Sequence, residues 1–139
     1  SIIIYNPKVF QRAQELDEYY AKNSKLIGKL HCVPMIVKDN IDIAGIPTTG
    51  GVNALRNSVP QKSALVINRL DSEGAIFLAK ANMAPFAYGS DPSENAGQCR
   101  NPFNLNRNCS GSSTGSGASI SAGFSLVSLG TDTAGSIIG

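Results

Sequence analysis

Ser112-Ser113-Thr114-Gly115-Ser116-Gly117-Ala118-Ser119-Ile120-Ser121-Ala122-Gly123-Phe124-Ser125-Leu126-Val127-Ser128-Leu129 passes from a Gly/Ser loop, through small side chains, into an apolar segment. The small residues from Gly117 to Ala122 predict a helix that can pack closely on a sheet. Phe124 to Leu129 predicts a strand, and Gly130 to Gly135 the turn that leaves it. Loop, helix and strand in this order point to α/β architecture.

Working outward, the same alternation recurs upstream. Val33 to Val37 is short, apolar and β-branched, and predicts a strand with Pro34 best placed at its first position or at an edge. Lys38 stands at its end. Ser63 is a candidate cap for a helix carrying Leu65, Val66, Ile67 and Leu70, with Gly74 as its stop. Ala75 to Ala79 predicts another buried strand. Asn6 and Pro7 read as the cap and first position of an earlier helix, whose stripe Phe10, Ala13, Leu16 and Tyr20 runs towards Asn23. Asn82 to Arg107, rich in Pro, Gly, Ser and Asn, reads mainly as a long functional loop. The expected fold is α/β, a mixed β-sheet flanked by helices.

At 139 residues, the chain is expected to form one compact domain. A formal net charge of +2, with scattered Lys and Arg, gives no basic stripe for nucleic acid. No apolar run approaches the roughly 20 residues that span a bilayer. Ser1-Ile2-Ile3-Ile4-Tyr5 has no basic leader and no initiator Met, so both ends read as edges of a longer piece. The three cysteines, Cys32, Cys99 and Cys109, are odd in number and lack paired spacing; they read as reduced thiols of a cytoplasmic protein. His31 is the only histidine, and His31-Cys32 cannot by themselves complete a tetrahedral metal site. No metal and no cofactor is expected.

Serine is a weak nucleophile that needs a base within hydrogen-bond reach. The lone histidine lies far from the serine cluster, so a lysine is the remaining base, and it can serve only when neutral. An ordinary lysine, with a pKa of about 10.4, is roughly 0.04% neutral at pH 7, and burial raises that fraction. The Val33-to-Val37 strand offers Lys38 such a dry setting, with Asp39 and Asp42 expected to point outward. Other readings of the loop stay open. Gly111-Ser112-Ser113-Thr114-Gly115 fits the G-x-S-x-G elbow with Ser113 as nucleophile, although no histidine follows it. A phosphate cradle is conceivable, but no Gly-Lys-Ser/Thr occurs. A flexible linker is disfavoured by the apolar strand that follows.

Taken jointly, Ser110-Gly111-Ser112-Ser113-Thr114-Gly115-Ser116, Gly130-Thr131-Asp132-Thr133-Ala134-Gly135-Ser136-Ile137 and Val33-Pro34-Met35-Ile36-Val37-Lys38-Asp39-Asn40 resemble the amidase signature family. Gly74-Ala75-Ile76, Lys80-Ala81-Asn82-Met83 and Arg100-Asn101-Pro102-Phe103 extend the likeness over Leu26 to Gly139. The resemblance implies an amidohydrolase that cleaves a carboxylic amide C–N bond through a Ser-Ser-Lys triad and an acyl-enzyme. Ser136 is the implied nucleophile, Ser112 the bridging serine after a cis Gly111–Ser112 peptide, and Lys38 the base. Backbone N–H groups of Thr133, Ala134, Gly135 and Ser136 form the implied oxyanion hole. Ser113 and Thr131 are supporting contacts, and Asp132 organises the turn. Thr114 and Ala134 replace glycines of the family pattern, Ile138 replaces an arginine, and Ala84-Pro85 replaces a more polar pair.

The resemblance further implies that residues 1–139 are the N-terminal portion of a single amidase-signature domain, ending three residues after the nucleophile. The expected partners are a small-molecule amide and the missing C-terminal part of the same domain. Cys109-Ser110-Gly111 suggests a free-standing amidase over the amidase subunit of a glutamyl-tRNA(Gln) amidotransferase. An inactive amidase-like remnant, and an unrelated α/β hydrolase using Ser113 or a nucleotide binder, are the rival readings.

Overall fold

The computed structural model describes residues 1–138; Gly139, the last residue of the expected domain, lies outside them. Its centre is a four-stranded mixed sheet. In chain order the elements are β1 (Ile2–Tyr5), α1 (Val9–Asn23), β2 (Pro34–Lys38), α2 (Leu65–Ser72), β3 (Ile76–Ala81), β4 (Arg100–Asn101), β5 (Asn104–Asn108), α3 (Thr114–Ser121) and β6 (Val127–Leu129). The sheet order is β1-β3-β2-β6. β2 runs parallel to both β3 and β6, and β1 runs antiparallel to β3. β2 and β3 are thus interior strands and are apolar almost throughout, as strands covered on both faces must be. The core gathers Met35, Val37, Ile43, Ile46, Ile67, Ala75 and Phe77.

The expected strands and helices form, with shifts that have local causes. Pro34 occupies the first position of β2, where its missing N–H breaks no internal ladder bond. Asn6 does not cap α1; its Oδ1 accepts the Lys8 N–H at 2.9 Å and its Nδ2 donates to the Phe77 carbonyl at 2.7 Å, so the helix begins at Val9. Of the predicted α1 stripe only Leu16 is buried, because α1 meets the sheet chiefly along β3; Phe10 is largely exposed. Ser63 does not cap α2 either, since its Oγ accepts the Ala44 N–H at 2.9 Å. β6 is shorter than its apolar run: the Phe124 N–H bonds back to Ser119, and Ser125 Oγ donates to the Pro34 carbonyl. β1 was not foreseen from Ser1 to Tyr5.

Two corrections concern the supposed long loop. It contains the β4–β5 hairpin, in which Arg100 pairs with Asn108. That register places the next residues out, Cys99 and Cys109, opposite each other with Cα atoms 5.7 Å apart, and they form a disulfide. The expectation of three reduced thiols is therefore wrong for two of them, and the compartment inferred from them loses its premise; Cys32 is free. A separation of ten residues means nothing until the hairpin is known.

α3 starts at Thr114, three residues before the expected Gly117, and buries Thr114, Gly115, Ser116, Ala118 and Ser119. Gly115 is required there. A β-carbon at this position would collide with the Ser1 carbonyl and the Asn82 backbone, and the Gly115 N–H donates to the Asn82 carbonyl at 2.7 Å. This contact seats the serine loop on the end of β3.

Candidate active site

Lys38 is the last residue of β2 and is completely buried. Its Nζ lies 2.8 Å from Ser112 Oγ, 2.9 Å from Ser113 Oγ, 2.9 Å from Thr131 Oγ1 and 3.2 Å from the Thr131 carbonyl. Every one of these partners is neutral. Ser112 Oγ lies in turn 2.8 Å from Ser136 Oγ. The three implied triad residues therefore make one continuous hydrogen-bonded path. The Gly111–Ser112 peptide is cis, as the resemblance implied.

Backbone bonds hold these parts in register. The Ser113 N–H donates to the Ser136 carbonyl at 3.2 Å, and the Ala84 N–H to the Ser112 carbonyl at 3.1 Å. Ser113 Oγ donates to the Thr131 carbonyl at 3.1 Å. That commits its single proton, so towards Lys38 it can only accept. No histidine stands near Ser113, and the elbow reading finds no support in this arrangement.

Burial pushes the Lys38 amine down to about 8, while the Asp132 charge pulls the other way. At that value roughly a tenth of the amine is neutral at pH 7, against about 0.04% for an ordinary lysine. Asp132 sits exposed in the turn that carries Ser136. Its carboxylate accepts the Ile137 N–H at 2.8 Å and the Gly135 N–H at 2.7 Å, and these bonds hold it below the usual carboxylate range. Asp132 thus closes the turn. The Gly135 N–H is correspondingly engaged, although it was expected in the oxyanion hole. Gly135 has φ 103°, a conformation that favours glycine. Thr133 and Ala134 are exposed on the same turn, and Ser136 is half-buried.

A cavity of about 240 Å³ opens beside Ser136 and is lined by Ser113, Gly111, Gly130, Ile120 and Ile137 among others. Among its lining residues none is charged. Among the described residues no group of three or more His, Cys, Asp or Glu could hold a metal ion, and no helix is long and apolar enough to cross a membrane.

Sequence reasoning missed Asn40, Asp39 and Lys80. Asn40 Nδ2 donates to Thr131 Oγ1 at 3.0 Å. Asp39 does not point outward: it is fully buried and ion-paired with Lys80 at 3.2 Å. Strand alternation was the available signal. Successive residues face opposite sides, and an interior parallel strand is buried on both, so a residue beside a buried Lys38 is buried too.

The amidase family model matches residues 1–138. A glutamyl-tRNA(Gln) amidotransferase subunit of Chlorobium limicola is 39% identical over 98% of this chain, which corresponds to 29% of that protein. Its counterpart from Sulfurisphaera tokodaii is 46% identical over 84% of the chain and 24% of that protein. Among solved structures, the peptide amidase of Stenotrophomonas maltophilia superposes with a TM-score of 0.93 at 35% identity, covering 99% of this chain and 29% of that one. The chain therefore spans under a third of the length of these relatives. With the signature segments folded into one site and the family model running from end to end of the described residues, the chain belongs to the amidase family.

Proposed function

We propose that this chain carries the acyl-transfer chemistry of a Ser-Ser-Lys amidohydrolase, with Ser136 as nucleophile, Ser112 as proton bridge and Lys38 as base. The observation that supports it is the unbroken path from Lys38 Nζ through Ser112 Oγ to Ser136 Oγ, with both links at 2.8 Å. In this reading neutral Lys38 takes the Ser112 proton as Ser112 takes that of Ser136. Ser136 Oγ adds to the amide carbonyl carbon. The N–H groups of Thr133 and Ala134, residues exposed on that turn, are the proposed oxyanion donors, each commonly worth about 3–4 kcal/mol; that of Ser136 turns towards the Asp132 carboxylate, as that of Gly135 does. The C–N bond then breaks as the relay returns a proton to the departing nitrogen. Water takes the same route to release the acid from the seryl ester. Ser113 and Thr131 hold the amine, and Asp132 holds the turn.

The setting of this chemistry is a second matter. The curated relatives favour a glutamyl-tRNA(Gln) amidotransferase, with this chain in its amidase subunit, over the free-standing enzyme suggested by Cys109-Ser110-Gly111. The uncharged lining of the cavity suits a neutral acyl group. A fluorophosphonate probe tests the core proposal: it should label Ser136, and Ser136→Ala should abolish labelling. A folded sample that takes no label would support the inactive remnant instead.

A further inference from the structure

Besides Lys38, a second lysine is completely buried. Lys80 lies in β3 beside Val37 of β2, and its Nζ meets Asp39 Oδ1 at 3.2 Å. The proposed proton path does not use this pair. Removing two charges from water is costly, and apolar replacements of such pairs are often no less stable, so stability alone is a weak reason for it.

Its place in the chain suggests another reason. Asp39 follows Lys38 directly. Its N–H donates to the Ala81 carbonyl, its carbonyl accepts from Gly50, and its Oδ2 accepts the Thr49 N–H at 3.0 Å and the Thr49 hydroxyl. Lys80 Nζ also reaches Thr48 Oγ1 at 2.9 Å. Four residues beyond Lys80, Ala84 holds the Ser112 carbonyl. The end of β3 therefore grips both the segment that follows Lys38 and the serine loop that Lys38 faces.

We propose that Lys80 is a positioning residue for Lys38: it matches the charge of Asp39 and clamps the turn after β2, so that the amine faces Ser112 with no uncompensated carboxylate behind it. This rests on the reading of Lys38 as the base. The charged groups around the pair are few. Asp132 faces Lys38 from the turn after β6, Asp39 follows it in the chain, and Asp42 acts on Lys80. Among the described residues, Lys80 leaves Asp132 as the one unmatched carboxylate acting on the base. An opposite charge nearby favours an ammonium, so freeing Asp39 should return Lys38 towards ordinary lysine behaviour.

The test is a pH titration of the Lys38 side chain by NMR on lysine-labelled protein, with the resonance assigned by its loss in Lys38→Met. It needs no turnover. Lys80→Met should move the Lys38 midpoint up by about one pH unit, and Asp39→Asn/Lys80→Met should bring it back to the starting value. A folded Lys80→Met with an unmoved midpoint overturns the proposal, as does a double variant displaced as far as the single. If Lys80→Met does not fold, Asp39→Asn decides: the surviving Lys80 charge should move Lys38 down, and no movement overturns the inference. A midpoint near 10.4 in the unaltered protein, the ordinary lysine value of about that size, would instead defeat the reading of Lys38 as base, whatever Lys80 does.

Discussion

Two buried lysines on neighbouring strands have opposite surroundings. Lys38 meets two serines and a threonine, all neutral. Lys80 meets a carboxylate. Burial lowers both amines, but on Lys80 the Asp39 charge and hydrogen bond oppose it. Equal depth therefore does not give equal chemistry. A hydroxyl cluster solvates an amine with dipoles but no opposing charge, so burial prevails and the amine is left able to take a proton. A paired carboxylate works against that lowering and gives the Lys80 amine a fixed ionic partner instead of a hydroxyl to deprotonate.

The sharpest way to break this comparison is to remove each amine in turn. Lys38→Met should slow fluorophosphonate labelling of Ser136 by at least about a thousandfold, the upper range for a lost general base, with little change in urea stability. Lys80→Met leaves a buried carboxylate unpaired and should cost about 3–5 kcal/mol of stability. Denaturation curves and labelling rates on the two proteins decide it. Equal losses of stability in both would show that the two lysines are both structural.

The asymmetry also marks what could be read from the sequence. The β2 and β3 segments were legible because interior parallel strands are apolar runs. The proposed triad was legible because Lys38, Ser112 and Ser136 sit in motifs whose order is itself informative. Asp39 was misread because charge alone suggests solvent; alternation beside Lys38 signals burial, but the partners that make it tolerable, Lys80 41 positions away along the chain and Thr49, are brought in by the fold. The Cys99–Cys109 bond and the start of α3 at Thr114 were likewise hidden. Each depends on a tertiary contact, the β4–β5 register in one case and the seat of Gly115 against Asn82 in the other. Local propensity carries no trace of either.

pH sharpens the comparison next. Lys38 must be neutral to act, so labelling of Ser136 should rise about tenfold per pH unit below a midpoint near 8 and level off above it. The effect on stability has a definite sign. Between about 8 and 10.4 the unfolded chain keeps its lysine protons while folded Lys38 has lost one, so stability rises with pH across that window and is flat below it. Lys38→Met should remove up to about 3 kcal/mol of that rise. A labelling midpoint near 10, about that of an ordinary lysine, or a profile falling with pH, would contradict a dry neutral amine.

Asp132 gives a smaller perturbation. Its charge raises Lys38, so Asp132→Asn should lower the midpoint by a few tenths of a pH unit. The same change weakens acceptance of the Ile137 and Gly135 N–H groups, which should slow labelling about tenfold at the plateau as the turn loosens. The two effects separate in a full profile. An upward shift of the midpoint would mean that the turn, once loosened, admits water to the amine, and that dryness outweighs the carboxylate.

The smallest expected effect is at Asn40, and it tests whether the hydroxyl cluster is itself held in place. Asn40 is exposed, yet its amide donates to Thr131 Oγ1, which also touches Lys38 Nζ. An exposed hydrogen bond contributes about 1 kcal/mol or less. Asn40→Ala should therefore leave the denaturation curve within about 0.5 kcal/mol of the original. With that bond gone, the Thr131 hydroxyl is free to turn its proton onto Lys38 and compete with Ser112 for the lone pair of the neutral amine. Labelling should slow about threefold at every pH, with the midpoint unmoved, since no charge has changed. Unaltered labelling would show that the Thr131 hydroxyl keeps its place beside the amine without Asn40.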